Sequence, residues 1–349
     1  MKIPMKRVAA DRAHLSDDLV ASGHQIEMVF RKGQKALSLR AGKIFHLLVK
    51  ASGANLAEDK QHSMPLSALY ELCHLRSKDM VETIRELQST LVEVTLPSPL
   101  IKGGLRTETG PLLSRVARDH DAPGVVEWQF SPTMRLIFES TDHWAIISKR
   151  AVMAFESRYS LRLYEIISLR VGLDHITSET FELEDFRRRL GVPDGKIGRW
   201  QDFKRFALEP AIAEVNHLTG LHVAYEPIKR SRSVSAIKLS WGQKPAPARK
   251  AAARELAHSK VGRSARRAGT AELVSDSQTS LPASVGFPAS GTIAYGAWAE
   301  LVRQHAPKPT PDVDLVASAF RKWTASKSFP LDGAAIEKAF VGFCKGFGK

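Results

Sequence analysis

The sequence is poor in cysteine and in long apolar runs, and each absence excludes a class of protein. Two cysteines, Cys73 and Cys344, are too few for a disulfide framework or a four-cysteine zinc site. No apolar run approaches the roughly 18 residues of a membrane span. The charged N-terminus lacks the apolar core of a signal peptide. We therefore expect a reduced, cytoplasmic protein with no membrane partner.

Sequence motifs for nucleotide hydrolysis, DNA nicking and metal binding are also missing. The stretch 191–196 is one residue short of a Walker A loop, and Ile197 stands where Ser or Thr is required. No His-x-His pair accompanies a candidate catalytic tyrosine, and the histidines are scattered without metal-ligand spacing. We expect no catalytic residue, no metal and no cofactor.

Positive charge is what the sequence has in excess. The 349 residues include 51 Lys+Arg and 37 Asp+Glu, for a formal net charge of +14. Charge alone favours a polyanion as partner, with nucleic acid ranked before an anionic membrane surface, and we expect nucleic acid. The densest excess lies at 246–270, in a region with few large apolar residues. We interpret 243–292 as a mobile basic linker, which is either a solvated tether or a site of sequence-independent phosphate binding.

Apolar spacing predicts the same order of elements twice along the chain. In the first copy we expect three helices, at 38–51, at 66–72 and from Ser77. They are followed by a strand at 91–96, a loop at 97–110 and a hairpin of 112–117 with 125–130. In the second copy we expect three helices, at 160–171, 183–190 and 201–217. Two strands, at 221–226 and 234–241, follow around a loop. Three helices followed by strands is the order of a winged helix-turn-helix domain.

The sequence therefore predicts an α+β fold: tandem winged helix-turn-helix domains, then a flexible basic linker and a small all-α C-terminal module. An irregular N-terminal arm at 1–34, with a possible strand at 25–30, precedes the domains. The first domain, at 35–140, is expected to serve dimerisation and auxiliary DNA contact, and the second, at 141–242, to be the main DNA reader. The linker at 243–292 and the module at 293–349 follow. The predicted core of the module is Trp298, Leu301, Leu315, Phe320, Trp323, Ile336, Phe340 and Phe343.

The third helix of the second copy contains the best candidate for reading DNA bases. On a 3.6-residue wheel, its apolar side chains face one side and Arg205 projects from the other side in the first turn. The N-terminal residues of a recognition helix contact base edges, and an arginine can bond guanine O6 and N7 together. Lys204 falls nearer the apolar side, so we expect it to contact phosphate, as we do for Arg199 just before the helix.

Further cations are predicted at the tip of the second wing and in the third helix of the first copy. Lys229, Arg230 and Arg232 would lie along the phosphates or the minor groove. The outer face of the first-copy helix mixes Lys78 and Arg85 with Asp79, Glu82 and Glu86, and like charge repels phosphate. That helix is therefore expected to be a poorer reader, with Arg76 and Lys78 as candidate DNA contacts. The alternative for each of these cations is a solvated surface charge.

Four stretches of the second copy, in order and at matching spacing, resemble a known family: 159–165, 181–192, 202–216 and 225–234. The first copy fits more loosely through 110–114 and 126–131. The resemblance is to the iteron-binding plasmid replication initiators of the Rep_3 (RepA/RepE-like) family, over about residues 35–245. Two positions depart from the family pattern. Phe206 stands where a third basic residue is frequent, and Ser231 stands where a wing glycine is frequent, so it must tolerate the turn conformation or shift it.

The resemblance implies a mechanism and partners. Such initiators bind short direct repeats, the iterons, at a plasmid origin as monomers. Dimers joined through the first domain bind an inverted operator repeat and repress their own gene, which contributes to copy control. Bound monomers help to melt AT-rich DNA and recruit host DnaA and the DnaB helicase. Arg205 matches a base-reading arginine and Lys204 a basic position. The alternatives are a tandem winged-helix transcriptional repressor without origin function and a cryptic nickase or primase-like enzyme.

Overall fold

The described residues form three apolar cores, two in the first 270 residues and one near the C-terminus. The chain divides into two compact units, Met1–Thr270 and Ala271–Lys349. The structure is a computed structural model, and the residues that it describes are 5–27, 29–30, 36–73, 77–119, 124–140, 143–172, 176–268, 286–293, 297–308, 310–331 and 335–347.

The N-terminal segment contains regular elements, so the prediction of an irregular arm at 1–34 is wrong. Its elements are helix α1 (Met5–Asp11), strand β1 (Asp18–Ser22), helix α2 (Gly23–Glu27) and strand β2 (Val29–Phe30). Part of the predicted strand at 25–30 is therefore helical. These elements are short, and the strands pair with residues distant in sequence, so local periodicity does not reveal them.

The first domain has the predicted helices and hairpin, together with further elements. They are α3 (Leu39–Ser52), β3 (His62–Pro65), α4 (Leu66–Cys73), α5 (Ser77–Ser89), β4 (Leu91–Pro97), β5 (Leu105–Pro111), β6 (Leu113–Arg118), β7 (Val125–Phe130) and α6 (Pro132–Ser140). Helix α3 begins after Ser38 because the Ser38 side chain accepts the Ala41 amide hydrogen. The strands form two sheets, in the orders β2-β4-β5 and β3-β7-β6.

Strand β5 occupies part of the segment predicted as a loop at 97–110. It pairs antiparallel with β4 along its whole length, from Leu91↔Pro111 to Pro97↔Leu105. Most of its side chains are exposed, so its sequence lacks the apolar alternation of a half-buried strand. The β4–β5 hairpin directly follows α5 and is therefore the wing of the first domain.

A two-stranded sheet lies between the cores of the two domains. Strand β1 pairs antiparallel with the next strand after α6, and alternate residues of β1 face different cores. Leu19 and Ala21 belong to the second core, whereas Val20 belongs to the first. The connection between the domains is formed by β8 (Trp144–Ser148) and α7 (Lys149–Ala154).

A cluster of polar side chains also joins the two domains. His46 on α3 has its Nε2 atom 2.6 Å from Glu165 Oε1, and Arg162 donates to the other Glu165 oxygen at 2.5 Å. Burial opposes ionisation of Glu165, but Arg162 and His46 outweigh that effect and lower the pKa of its carboxyl. The contact between His46 and Glu165 therefore holds the two domains at a defined junction.

The second domain has all the predicted elements and one additional strand. Its elements are α8 (Arg158–Val171), β9 (Ser178–Glu182), α9 (Leu183–Arg189), α10 (Trp200–Phe203), a π-helical turn (Lys204–Leu208), α11 (Glu209–Leu218), β10 (Leu221–Arg230) and β11 (Ser233–Gln243). The strand order is β10-β11-β9, which makes β10 an edge strand. An edge strand tolerates Pro227. The hairpin loop has two residues, so it is shorter than the predicted loop at 227–233.

The first part of the predicted linker is ordered, so the interpretation of 243–292 as mobile is wrong for residues 246–268. It is also wrong for Phe287, which is buried in the C-terminal core. Residues 246–268 form α12 (Ala246–Ala257) and α13 (Arg263–Ala268). Alanine favours helix, and buried Glu255 accepts hydrogen bonds from Arg263 and Arg266. The Arg266 hydrogen bond, supported by Arg263, lowers the pKa of Glu255 to about 2 despite its burial. Composition alone does not reveal these partners.

The C-terminal unit is helical, as the predicted all-α module requires, and its described residues form three helices. They are α14 (Ala297–His305), α15 (Val313–Ser326), which Asp312 caps, and α16 (Ile336–Gly346). Phe320, Ile336 and Phe340 are buried as predicted, but Leu315 is 59% exposed and lies outside the core. The core also includes Phe287, Ile293, Val302, Ala306, Val316, Ala317 and Cys344.

Candidate nucleic-acid interface

The helix from Trp200 to Leu218 presents one apolar face to the second core, as its wheel predicts. The side chains of the predicted face are all buried: Phe203, Ala207, Leu208, Ala211, Ile212 and Val215. Arg205 and Glu209 are exposed on the other side. Asn216 has a structural role, because its side-chain amide donates to the Val223 carbonyl and accepts from the Val223 amide. This pair fixes the helix against strand β10.

The segment Lys204–Leu208 is a π-helical turn, where the wheel assumes a regular α-helix. The Glu209 amide bonds to the Lys204 carbonyl five residues back. The sequence contains a physical reason, because Pro210 lacks an amide hydrogen and its ring would clash with the carbonyl of Phe206 in a regular helix. The wider turn leaves both Arg205 and Phe206 exposed, with the Arg205 guanidinium 5.2 Å from the Phe206 ring centre. This cation–π contact orients the arginine along the helix surface.

Lys204 is half-buried and already has an acidic partner. Its Nζ atom lies 3.4 Å from Glu209 Oε1, which also accepts a hydrogen bond from the Tyr225 hydroxyl. Burial and the neighbouring Glu209 raise the pKa of Tyr225 to about 12, so the hydroxyl keeps its proton. Lys204 must therefore exchange or share Glu209 to bind phosphate.

Arg199 is the residue immediately before α10 and is exposed. The loop that leads to it is held by Arg187, whose guanidinium donates to the Gly198 carbonyl at 2.9 Å and lies 5.1 Å from the Phe203 ring centre. Arg187 is buried, so its role is to position the loop. In the sequence, nothing distinguishes Arg187 from its neighbours Arg188 and Arg189.

The second wing brings the three predicted cations together at one end of the β10–β11 hairpin. Lys229, Arg230 and Arg232 are all exposed around a two-residue turn. Ser231 has φ 59°, so it adopts the left-handed conformation that the turn requires. Of the two possibilities left open for Ser231, the structure therefore has the one in which serine tolerates the turn.

Comparison with known families matches both domains. A family model described as "Initiator Replication protein, WH1" covers residues 26–168, and one described as "Initiator Rep protein, WH2" covers residues 182–241. The chain belongs to this family of initiator Rep proteins. Its two domains are tandem winged helices, as the sequence predicts.

The two family matches begin at residue 26 and end at residue 241, before the tail helices α12 and α13. The WH1 match extends through most of α8, although apolar residues of α8 such as Leu163 and Ile167 lie in the second core. Among solved structures, the chain is similar to the one titled "Crystal structure of Pi initiator protein in complex with iteron DNA", at 15% identity and a TM-score of 0.46. That match covers 65% of this chain and 98% of the other. No curated protein sequence matches this chain.

In the first winged helix, acidic side chains on α5 have hydrogen-bond partners, whereas the sequence predicts free charges that repel phosphate. Asp79 accepts from Arg40 at 3.0 Å, and Glu86 accepts from the backbone and hydroxyl of Ser38. Two of the three carboxylates on α5 are thus engaged with α3, while Arg85 is exposed. Arg76 and the side chain of Lys78 lie outside the described residues.

The described residues contain no group of three or more His, Cys, Asp or Glu side chains that could hold a metal ion. Nor does this part of the chain contain a helix long and apolar enough to cross a membrane. The arrangement of the second winged helix offers cations to a polyanion rather than a pocket to a small molecule.

Proposed function

We propose that this protein is a sequence-specific, double-stranded-DNA-binding initiator of plasmid replication that binds iteron repeats at its origin. The observation that carries the proposal is the family match over both winged helices, together with exposed Arg205 near the start of the second recognition helix. In this proposal the helix enters the major groove and Arg205 bonds the O6 and N7 edge of a guanine.

The remaining cations supply affinity rather than sequence preference. Arg199 at the helix start and the wing residues Lys229, Arg230 and Arg232 contact phosphates on either side of the recognition helix. Lys204 contributes after giving up part of its contact with Glu209. Auxiliary contacts come from Arg76 and Lys78 of the first winged helix. Neutralising each phosphate releases counterions, so binding weakens as salt rises.

The full role requires further partners. Monomers bind the iterons and promote opening of the origin, and host DnaA and DnaB helicase are recruited to the open complex. Homodimers, in equilibrium with the monomers, bind an inverted operator repeat and repress the gene. The protein acts in the cytoplasm, and its role in initiation is binding rather than catalysis.

Origin dependence tests the proposal directly. A plasmid that has no other origin, but contains this gene and its flanking repeats, should replicate, whereas the same plasmid with the Arg205→Ala gene should not. We expect direct repeats of about 17–22 bp, because two winged helices each cover about one helical turn. Failure of the wild-type plasmid with retained repression of a reporter would identify a repressor without origin function. Metal-dependent cleavage or nucleotide incorporation by purified protein would identify an enzyme.

A further inference from the structure

The wing of the first domain has an exposed apolar tip. Leu100, Ile101 and Leu105 are 86%, 65% and 74% exposed. They lie in or beside the turn that joins β4 to β5. Among the large apolar side chains of the described residues, Val261 at 83% has comparable exposure. The tip is therefore an unusual concentration of apolar surface at one end of a hairpin.

Hydrogen bonds give this tip a defined shape. The Ser98 hydroxyl oxygen accepts from the amides of Leu100 and Ile101, and the Gly104 amide donates to the Ile101 carbonyl at 2.9 Å. Gly103 has φ 76°, a conformation that favours glycine. The turn therefore holds Leu100 and Ile101 away from the domain core.

The charges around the tip favour a polyanion. Residues 98–107 contain two cations, Lys102 and Arg106, and no carboxylate. Lys102 is exposed, while Arg106 lies 2.6 Å from Glu108 on the same strand. Since the hairpin follows α5 as the wing of a helix-turn-helix domain, its tip lies on the side of the domain that would face DNA.

We propose that the tip of the first wing is an apolar wedge that enters the minor groove of duplex DNA and unstacks a base step. Leu and Ile are among the side chains that minor-groove proteins insert between base pairs, and the insertion kinks and unwinds the duplex. Lys102 contacts a flanking phosphate. The proposal rests on the proposed function and adds to it a means by which binding itself loosens DNA.

The size of the tip favours DNA over a protein partner. A stable protein interface buries about 800 Å² on each side. Three side chains at the end of a two-stranded hairpin offer far less, and the tip is a protrusion rather than a face. A wedge, in contrast, requires one or two apolar side chains between neighbouring base pairs.

The experiment measures DNA unwinding per bound protein. Wild-type full-length protein first selects binding sites from a pool of random-sequence duplexes. Several copies of the selected site are then placed in a closed circular plasmid, which is relaxed by a topoisomerase in the presence of protein. We compare the linking-number shift per occupied site for wild type, Leu100→Ala/Ile101→Ala, Lys102→Ala and Val261→Ala.

We expect wild type and Val261→Ala to give the same shift and the double variant to lose most of it while still selecting the same sites. Lys102→Ala should bind more weakly yet unwind equally per occupied site. An equal shift from the double variant, or no shift from wild type at occupied sites, overturns the wedge and leaves the proposed function intact. A double variant that changes the oligomeric state and not the shift shows that the tip is a protein contact. No site enrichment by wild type contradicts the proposed function and the wedge together.

Discussion

The two winged helices share one fold and present different chemistry at the same places. In the second, the recognition helix exposes Arg205 and the wing tip exposes three cations. In the first, the equivalent helix mixes cations with carboxylates that α3 partly engages, and the wing tip is apolar. The fold therefore does not determine how a module contacts DNA. In the proposed function, the side chains at its helix start and its wing tip determine this.

The difference also changes the meaning of the net charge. Of the formal charge of +14, a large share lies on the tail at 246–270, which has seven basic residues and one acidic. Some of that charge is internal, because Arg263 and Arg266 are bound to Glu255. The charge predicts a polyanion partner, whereas in the proposed function a few placed side chains, Arg205 first, supply sequence preference.

The largest expected effect on DNA affinity comes from replacing one arginine by alanine in each of the two recognition helices. Arg205→Ala should cost about 1–3 kcal/mol on the selected site and little on unrelated DNA, because a bidentate base contact is lost. The matched change on the first helix, Arg85→Ala, should cost less and leave sequence preference intact. Competition binding against shuffled duplexes measures both. An equal loss of preference from the two variants would remove the distinction between the helices.

The second effect concerns the tail, which braces the second domain. Glu255→Gln should lower the free energy of unfolding by about 1–2 kcal/mol near neutral pH, because a hydrogen-bonded buried charge is lost. The folded pKa of Glu255 is about 2, below its ordinary 4.5, so the contribution is present above pH 4.5 and disappears as the pH falls toward 2. Urea unfolding across this range should show wild type and variant converging at low pH. A constant difference would rule out the ionised Glu255 as its source.

Much of the architecture could be predicted because its signals are local. The Ser38 cap, the apolar face of the helix at 200–218 and the hairpin at 112–130 all depend on neighbouring residues. The elements that were missed have no clear apolar pattern of their own and are defined by their pairing partners. Strand β5 is defined by pairing with β4, and β1 by pairing with β8 across the domain junction.

The sequence was enough to predict which residues form the candidate site, but not which side chains they contact. Exposure of Arg205 and of the wing cations follows from periodicity and turn composition. The contact of Lys204 with Glu209 depends on the π turn, and the role of Arg187 depends on burial against Phe203. Pro210 was the available signal for the π turn, since a proline inside a helix disturbs the preceding turn.

A smaller effect is expected for a cation on the second wing. Lys229→Ala should weaken all duplexes about equally, by about 1 kcal/mol or less, because it removes one phosphate contact. The slope of log affinity against log salt should fall by about 1. Titration of a selected and a shuffled duplex at several salt concentrations measures this change, with Arg303→Ala on the C-terminal unit as a control. A loss confined to the selected duplex would assign Lys229 to base reading.

The smallest effect comes from the positive-φ positions of the two wing turns. Ser231 at φ 59° and Gly103 at φ 76° adopt the same region of backbone space, where a side chain costs about 1–2 kcal/mol. Ser231→Gly removes that cost but loses about 0.5–1 kcal/mol to chain entropy, so a gain of about 0.5 kcal/mol is expected. Gly103→Ser should instead lower the free energy of unfolding. Backbone conformation alone is the cause, because a Cβ at this position meets nothing within 4 Å. Urea midpoints of both variants measure the pair, and a loss of stability in Ser231→Gly would mean that the serine side chain itself supports the cationic turn.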